Sequence, residues 1–227
     1  MSSMDNYPDK QFYGDAETYW KEIPATVDGM LGGYSKVDKL DIKGSKKFLQ
    51  EFISGPNAKT KTRRAVDCGA GIGRVSHGLL CPLFSRVDMV EVCQKFLDQA
   101  KTYLGSSAKK VDRYICCGLQ DFTPDPGRYD VIWVQWVLGH LTHKDLVSFF
   151  QRCRAGLAEN GIIVVKENVA DDSCSDGVIF DQDDSSVTRS HRYLKQIVAE
   201  SGLRVIKEEA QKDFPKELFK VQMMVLQ

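Results

Sequence analysis

The stretch "AVDCGAGIGR", residues 65–74, holds the residues whose types and spacing point most directly to chemistry. An apolar run ends at Asp67, Gly69, Gly71 and Gly73 follow at G-x-G-x-G spacing, and Arg74 closes the turn. Such a turn lets a ligand approach the backbone where a strand gives way to a helix. In the dinucleotide fingerprint the spacing is G-x-G-x-x-G, which brings a pyrophosphate to the helix N-terminus. Here the third glycine position is Arg74, whose side chain blocks tight helix–strand packing but is suited to a carboxylate. Asp67 would repel a pyrophosphate and suits a cationic ligand. A phosphate loop is excluded by the missing G-K-[ST]. Glu91 ends the next apolar run, 18 residues after Gly73, where it would accept hydrogen bonds from both hydroxyls of a ribose. S-adenosylmethionine carries an ammonium, a carboxylate, a sulfonium and no phosphate, so this set favours it over NAD. The structural alternative is a turn that only makes a tight strand–helix corner.

These residues need a scaffold of alternating strands and helices. Residues 45–54, "SKKFLQEFIS", place Phe48, Leu49, Phe52 and Ile53 on one helical face, and "GPNAK" breaks the chain before the glycine turn. "GRVSHGLLCPLF" predicts a helix and "RVDMVEV" a strand ending at Glu91. A helix (QKFLDQAKTYL), a strand (RYICCG) and the buried strand "YDVIWVQWV" follow. Thr142 and Asp145 form a capping box for a helix carrying Leu146, Phe149, Phe150, Cys153 and Leu157, stopped by "ENG". The buried strand "GIIVVKEN", a helix (HRYLKQIVAESG) and the strands "LRVIKEE" and "FKVQMMVL" complete the order. This alternation predicts an α/β fold with a mostly parallel, doubly wound sheet. The loop between the last two strands is too short for a crossover helix, so they should pair antiparallel. Trp133 reads as core by alternation with Gln135.

Two segments stand outside the alternation. One is the aromatic-rich N-terminal portion, 1–44, and the other is the insertion 169–187, "NVADDSCSDGVIFDQDDSSV" with its flanks. A connection of that length inside a compact fold is usually functional or disordered. Both are expected near the C-terminal edge of the sheet, where open α/β folds bind ligands.

At 227 residues the chain fits one domain spanning 1–227, with 45–227 as its Rossmann-like core. Lys and Arg number 31, as do Asp and Glu, so no net field steers nucleic acid or a membrane. Seven cysteines without a C-x-x-C spacing argue against zinc and read as reduced intracellular thiols. The start lacks an apolar signal core, and the longest apolar stretch is interrupted by Gln135. A soluble protein of the nucleus or cytoplasm, not secreted, is expected, without a metal site and as a monomer.

Four stretches, "VDCGAGIGR", "CCGLQDFTP", "YDVIWVQWVLGHL" and "GIIVVKEN", resemble the alpha-N-terminal protein methyltransferases. The resemblance extends upstream to "TYWKEIPATVDGMLGGY" and downstream through "DQDDSSV", covering almost the whole chain. It implies a seven-stranded S-adenosylmethionine-dependent fold that methylates free protein N-termini beginning X-Pro-Lys or X-Pro-Arg, leaving S-adenosylhomocysteine. It also implies site residues. Gly69, Arg74, Glu91, Val92, Cys93, Leu119, Gln120 and Gln135 would surround the cofactor, Arg74 at its carboxylate and Glu91 at its ribose. Asn168 would aim the amine lone pair, and Asp184 and His140 would take its proton directly or through water. Trp20, Leu31, Gly32, Val37 and Trp136 would line a proline channel, and Asp181, Ser186 and Phe219 would contact the peptide.

On residues alone, Val92, Cys93 and Leu119 read as core packing and His140 as a capped structural histidine, while "DQDD" reads equally as a solvated turn. Glu91 and Phe219 depart from the family, which commonly has Asp and Tyr there. The second change removes a hydroxyl from the substrate side. Rival readings are a small-molecule amine methyltransferase, a non-catalytic cofactor-binding regulator and, more distantly, an NAD dehydrogenase.

Overall fold

The computed structural model describes residues 8–174 and 176–227; residues 1–7 of the N-terminal segment and Ser175 of the insertion lie outside it. Seven strands form one sheet: β1 (Arg64–Cys68), β2 (Arg86–Glu91), β3 (Val111–Cys116), β4 (Tyr129–Gln135), β5 (Leu157–Val169), and, after a hairpin described below, β8 (Val205–Ala210) and β9 (Lys220–Leu226). Their order is β3-β2-β1-β4-β5-β9-β8, with the first five parallel and β9 antiparallel to both its neighbours. The antiparallel final pair is as expected from its short connection. Strand order reverses between β1 and β4, so the loops leaving those two strands flank the crevice where such sheets bind ligands.

Alternation along the strands separates two cores. Val66, Cys68, Ile132, Val134, Ile163 and Val165 face the helices α6 (His143–Gly156) and α7 (His191–Glu200). Ala65, Val131, Trp133, Ile162 and Val164 face α3 (Asp38–Ile53), residues 79–84 and α5 (Gln94–Tyr103). Central strand β4 is buried at every position, which explains its continuous apolar run. The helix after the glycine turn spans residues 74–83 with a π-helical turn, Ser76–Leu80, leading into α4 (Cys81–Leu83).

Three local expectations change. Helix α3 begins at Asp38 rather than near Ser45, so the N-terminal segment enters the core through one continuous helix. Helix α6 ends at Gly156, where a Cβ would stand 2.5 Å from Pro124. "ENG" lies within β5, whose pairing with β4 is irregular there, and Asn160 has φ +58°. The cap on α6 is half a box: Thr142 Oγ1 accepts the Asp145 N–H at 3.3 Å, but the Thr142 N–H goes to the Tyr13 hydroxyl.

Helices α1 (Asp9–Glu22) and α2 (Val27–Met30) lie over the glycine turn, where Trp20, Ile23 and Met30 pack around Ile72, Cys93 and Phe96. The insertion forms a two-stranded hairpin, β6 (Val178–Asp181) with β7 (Ser186–Arg189), separate from the main sheet. Its turn is tied to α1 by the Ser185 hydroxyl donating to the Phe12 carbonyl at 3.0 Å. No helix among the described residues is long and apolar enough to cross a membrane.

Phe149 is fully buried on α6 at the centre of one core. Phe149→Ala should cost about 3–5 kcal/mol, read as a lower urea midpoint with an unchanged slope. A loss below about 1 kcal/mol would mean the cavity collapses.

Candidate active site

The glycine turn is held by β2: the Gly69 and Ala70 N–H groups donate to the Val90 carbonyl at 2.9 and 3.0 Å. Gly69 has φ +73° and Gly71 φ +54°, a region in which a side chain is strained. Space is as restrictive as conformation, since an added Cβ would meet Val137 at 2.6 Å from Gly69 and Met30 at 2.6 Å from Gly71. Glu91 Oε2 accepts the Gly71 N–H and Oε1 the Cys93 N–H, each at 2.9 Å. The carboxylate therefore ties the turn to the start of α5. Burial raises its pKa, and these amide hydrogen bonds offset only part of that.

Asp67 is buried under the turn, with the Ser76 hydroxyl donating to it at 2.7 Å. Burial pushes its carboxyl up to about 6, so Asp67 holds a proton more tightly than an exposed aspartate. Arg74 is paired with its own chain's carboxylates, Asp41 at 2.6 Å and Asp38 at 3.0 Å. Its guanidinium stands 5.3 Å from the centre of the Trp136 ring.

Two cavities open at the switch point. The first is lined by Gly69, Arg74, Glu91, Val92, Leu119, Gln120 and Gln135. Cys93 is behind its wall, buried against Ile72 and Phe96 as the N-cap of α5. The second is lined by Leu31, Gly32, Val37, Asn168, Asp181, Asp184, Ser186 and Phe219. Trp20, Met30, Trp136 and His140 line both, so the cavities meet there. Residues as distant in the chain as Trp20 and Phe219 are thus brought to one place by the ends of β1, β2, β4 and β5 and by the hairpin.

The loop after β4 is unusually constrained. Trp136 has φ +52°, a conformation that is strained for a bulky side chain. Its N–H donates to the Lys166 carbonyl at 3.0 Å. Glu167 accepts both the Val137 and Leu138 N–H groups at 2.8 Å, and the buried Arg189 donates to the Leu138 and Leu141 carbonyls. Burial pushes Glu167 up to about 7 and Arg189 down to about 10. This support shell was missed in the sequence because Glu167 and Arg189 carry no motif. A charge adjacent to an apolar strand was the only available signal.

At the loop's end, His140 Nε2 is 2.9 Å from Trp20 Nε1. An indole nitrogen only donates, so Nε2 is the acceptor and the ring proton sits on Nδ1, 3.4 Å from the Ser185 carbonyl. Burial lowers the His140 pKa, while Asp184 pulls the other way. His140 is thus a neutral ring whose free lone pair is engaged by Trp20.

Two buried polar atoms, Trp136 Nε1 and Asp184 Oδ1, have no hydrogen-bond partner among the described residues. Both residues line the second cavity, and unmatched buried polar atoms point to a ligand that completes them. The first cavity suits S-adenosylmethionine by its donor set: an acidic residue, an arginine, and glycines where a Cβ would fill the space. The second, aromatic and acidic, suits a flat cationic group.

The comparisons agree with this chemistry. Residues 8–227 match the family described as AdoMet-dependent proline di-methyltransferases. A Danio rerio protein named N-terminal Xaa-Pro-Lys N-methyltransferase 1 is 56% identical over 215 residues, 95% of each chain. The Homo sapiens protein of that name is 55% identical over 214 residues, 94% of each. A solved structure of a SAM-dependent methyltransferase from Leishmania major superimposes with TM-score 0.88 at 40% identity, covering 97% of this chain and 85% of that one.

Glu167 generates a pH prediction. Its unfolded value is about 4.5 and its folded value about 7, so the native state holds the proton more tightly. The associated stability is present below the unfolded value and is lost as pH rises through the folded one; Asp67 acts with the same sign. Glu167→Gln keeps an accepting oxygen but does not titrate. Its Tm should fall less than wild type's as pH rises from about 5 to 7; parallel curves would mean that Glu167 is ionised throughout.

Proposed function

The chain belongs to the AdoMet-dependent proline di-methyltransferase family, and on that premise we propose that it methylates the free α-amino group of proteins beginning Xaa-Pro-Lys or Xaa-Pro-Arg. The observation that carries the reading is the junction of the two cavities at Trp20, Met30, Trp136 and His140. A donor site and an acceptor site with a common wall are what direct group transfer requires.

Gly69, Arg74, Glu91, Val92, Leu119, Gln120 and Gln135 hold the cofactor, with Cys93 supporting Glu91 through its N–H. When bound, S-adenosylmethionine supplies a methyl group already activated by its sulfonium. The chain's own residues then have to hold an amine, neutralise it and keep water away. A terminal amine has a pKa of about 7.7–8.0, and only its neutral form is a nucleophile. Asn168, at the end of β5, accepts one amine hydrogen and aims the lone pair. Asp184 takes the proton, because its Oδ1 is buried and otherwise unpartnered. His140 holds Trp20 in place and becomes a base only when that indole releases Nε2.

Trp20, Trp136, Leu31, Gly32 and Val37 form a flat, largely apolar wall for proline, which has no amide hydrogen to satisfy. Exposed Asp181 faces the basic third residue, with Ser186 beside it. Phe219 is 46% exposed at the rim and offers only its ring where the family has a hydroxyl. The protein works as a monomer in the nucleus or cytoplasm on protein N-termini, with equal numbers of acidic and basic residues giving no bias toward nucleic acid or membrane.

The test is mass spectrometry of an Xaa-Pro-Lys peptide incubated with the protein and S-adenosylmethionine, beside the same peptide acetylated at its terminus. Methyl addition confined to the free terminus is expected; modification of both, or of neither, overturns the α-amine as target. A second reading, a cofactor-binding regulator without turnover, predicts peptide binding and no product. Asp184→Asn should lower kcat by about a hundredfold or more, the scale of a lost general base, with S-adenosylhomocysteine affinity unchanged. Wild-type turnover would remove Asp184 from the proton path.

A further inference from the structure

Lys166 lies within the apolar run of β5, and its side chain is fully buried. An ammonium in that position is costly unless every proton is matched. Its Nζ is 2.5 Å from the Asp41 carboxylate, 2.9 Å from Ser45 Oγ, 2.8 Å from Gln211 Oε1 and 3.2 Å from the Asp41 carbonyl. Asp41, also fully buried, accepts from Arg74 at 2.6 Å and from the Gln135 amide at 2.9 and 3.0 Å. Gln135 in turn accepts the Trp133 indole N–H at 3.0 Å. Burial pushes the Asp41 carboxyl up, but Arg74 and Lys166 outweigh it and hold it below its ordinary value. Burial lowers the Lys166 ammonium, and Asp41 offsets part of that.

In direct contact, Arg74 and Lys166 share one buried anion, Asp41; the other carboxylate touching Arg74, Asp38, has a side chain 27% exposed and is screened by water, and buried Asp67 acts on Arg74 without an ion pair to it. Arg74 lines the first cavity, whereas Lys166 and Asp41 do not. Arg74 is therefore the member of the cluster whose charge faces the cavity. With Lys166 absent, Asp41 and Arg74 would satisfy each other, and little field would remain for an incoming anion.

We propose that Lys166 and Asp41 are positioning residues for the carboxylate end of the cofactor. Asp41 anchors one face of Arg74, and Lys166 neutralises Asp41 so that the guanidinium keeps its charge for the ligand. The inference rests on the reading of the first cavity as a S-adenosylmethionine site with Arg74 at its carboxylate.

The experiment compares two probes by calorimetry: S-adenosylhomocysteine, and 5′-methylthioadenosine, which shares the adenosine and thioether but lacks the amino-acid end. In wild type the first should bind much more tightly; equal affinities would overturn the underlying placement of the carboxylate at Arg74, and with it this proposal. Lys166→Met should weaken S-adenosylhomocysteine by about tenfold or more, the scale of a charge-assisted hydrogen bond, and leave 5′-methylthioadenosine unchanged. Equal losses for both probes would mean that Lys166 is merely structural, and no loss for either would remove it from the site. Should that variant fold poorly, Asp41→Asn with Lys166→Met removes both members of the buried pair and keeps the cluster's net charge. An amide at position 41 still accepts from Arg74 but carries no charge to neutralise, so this variant should keep the preference for S-adenosylhomocysteine over 5′-methylthioadenosine; loss of that preference would overturn the neutralising role of Lys166.

Discussion

The ion pair between Arg74 and Asp41 joins the three parts of the chain on which the site depends. Arg74 opens the helix after the glycine turn, Asp41 lies in the first turns of α3, and Lys166, behind Asp41, belongs to β5. Because all three are buried, the pair is not weakened by solvent as a surface bridge would be. Its geometry fixes where the N-terminal helices can lie over the sheet. Through Gln135 it also reaches the end of β4, the strand that delivers Trp136.

From that anchor the second loop of the crevice is built under strain. Trp136 adopts a left-handed backbone because Lys166, Glu167 and Arg189 satisfy the polar groups around it. Three successive residues of β5 thus serve different ends. Lys166 neutralises, Glu167 holds a loop and Asn168 faces the acceptor cavity. A strand is a precise place for such residues, since its ladder leaves little freedom to move. The result is two cavities with common walls, which under the proposed function take a carboxylate-bearing nucleoside and a proline followed by a base. Small free amines would leave the acidic hairpin and the proline wall without a role.

Much of this was legible in the amino-acid sequence. The alternation of strands and helices, the glycine turn, Glu91 at the end of β2 and the final antiparallel pair follow from periodicity and loop length, which are local properties. Resemblance carried the remaining candidates, and all but Cys93 line one of the two cavities. What stayed hidden was pairing. Arg74 read as a free ligand group, yet Asp41 and Asp38 already hold it. Asp67 read as an ordinary carboxylate, yet burial raises its pKa. His140 read as a base, yet Trp20 occupies its lone pair. Each depends on a partner between 33 and 120 positions away, or on burial, for which periodicity has no signal.

The sequence by itself therefore determined the sheet, its order of elements and the residue types at the strand ends, because hydrophobic period and turn chemistry act over a few residues. Tertiary structure alone decided which charges neutralise one another, which ring nitrogen carries a proton and which buried atoms of Trp136 and Asp184 are left for a ligand. Those outcomes are set by distance and dielectric, and both come into being only when the chain closes on itself.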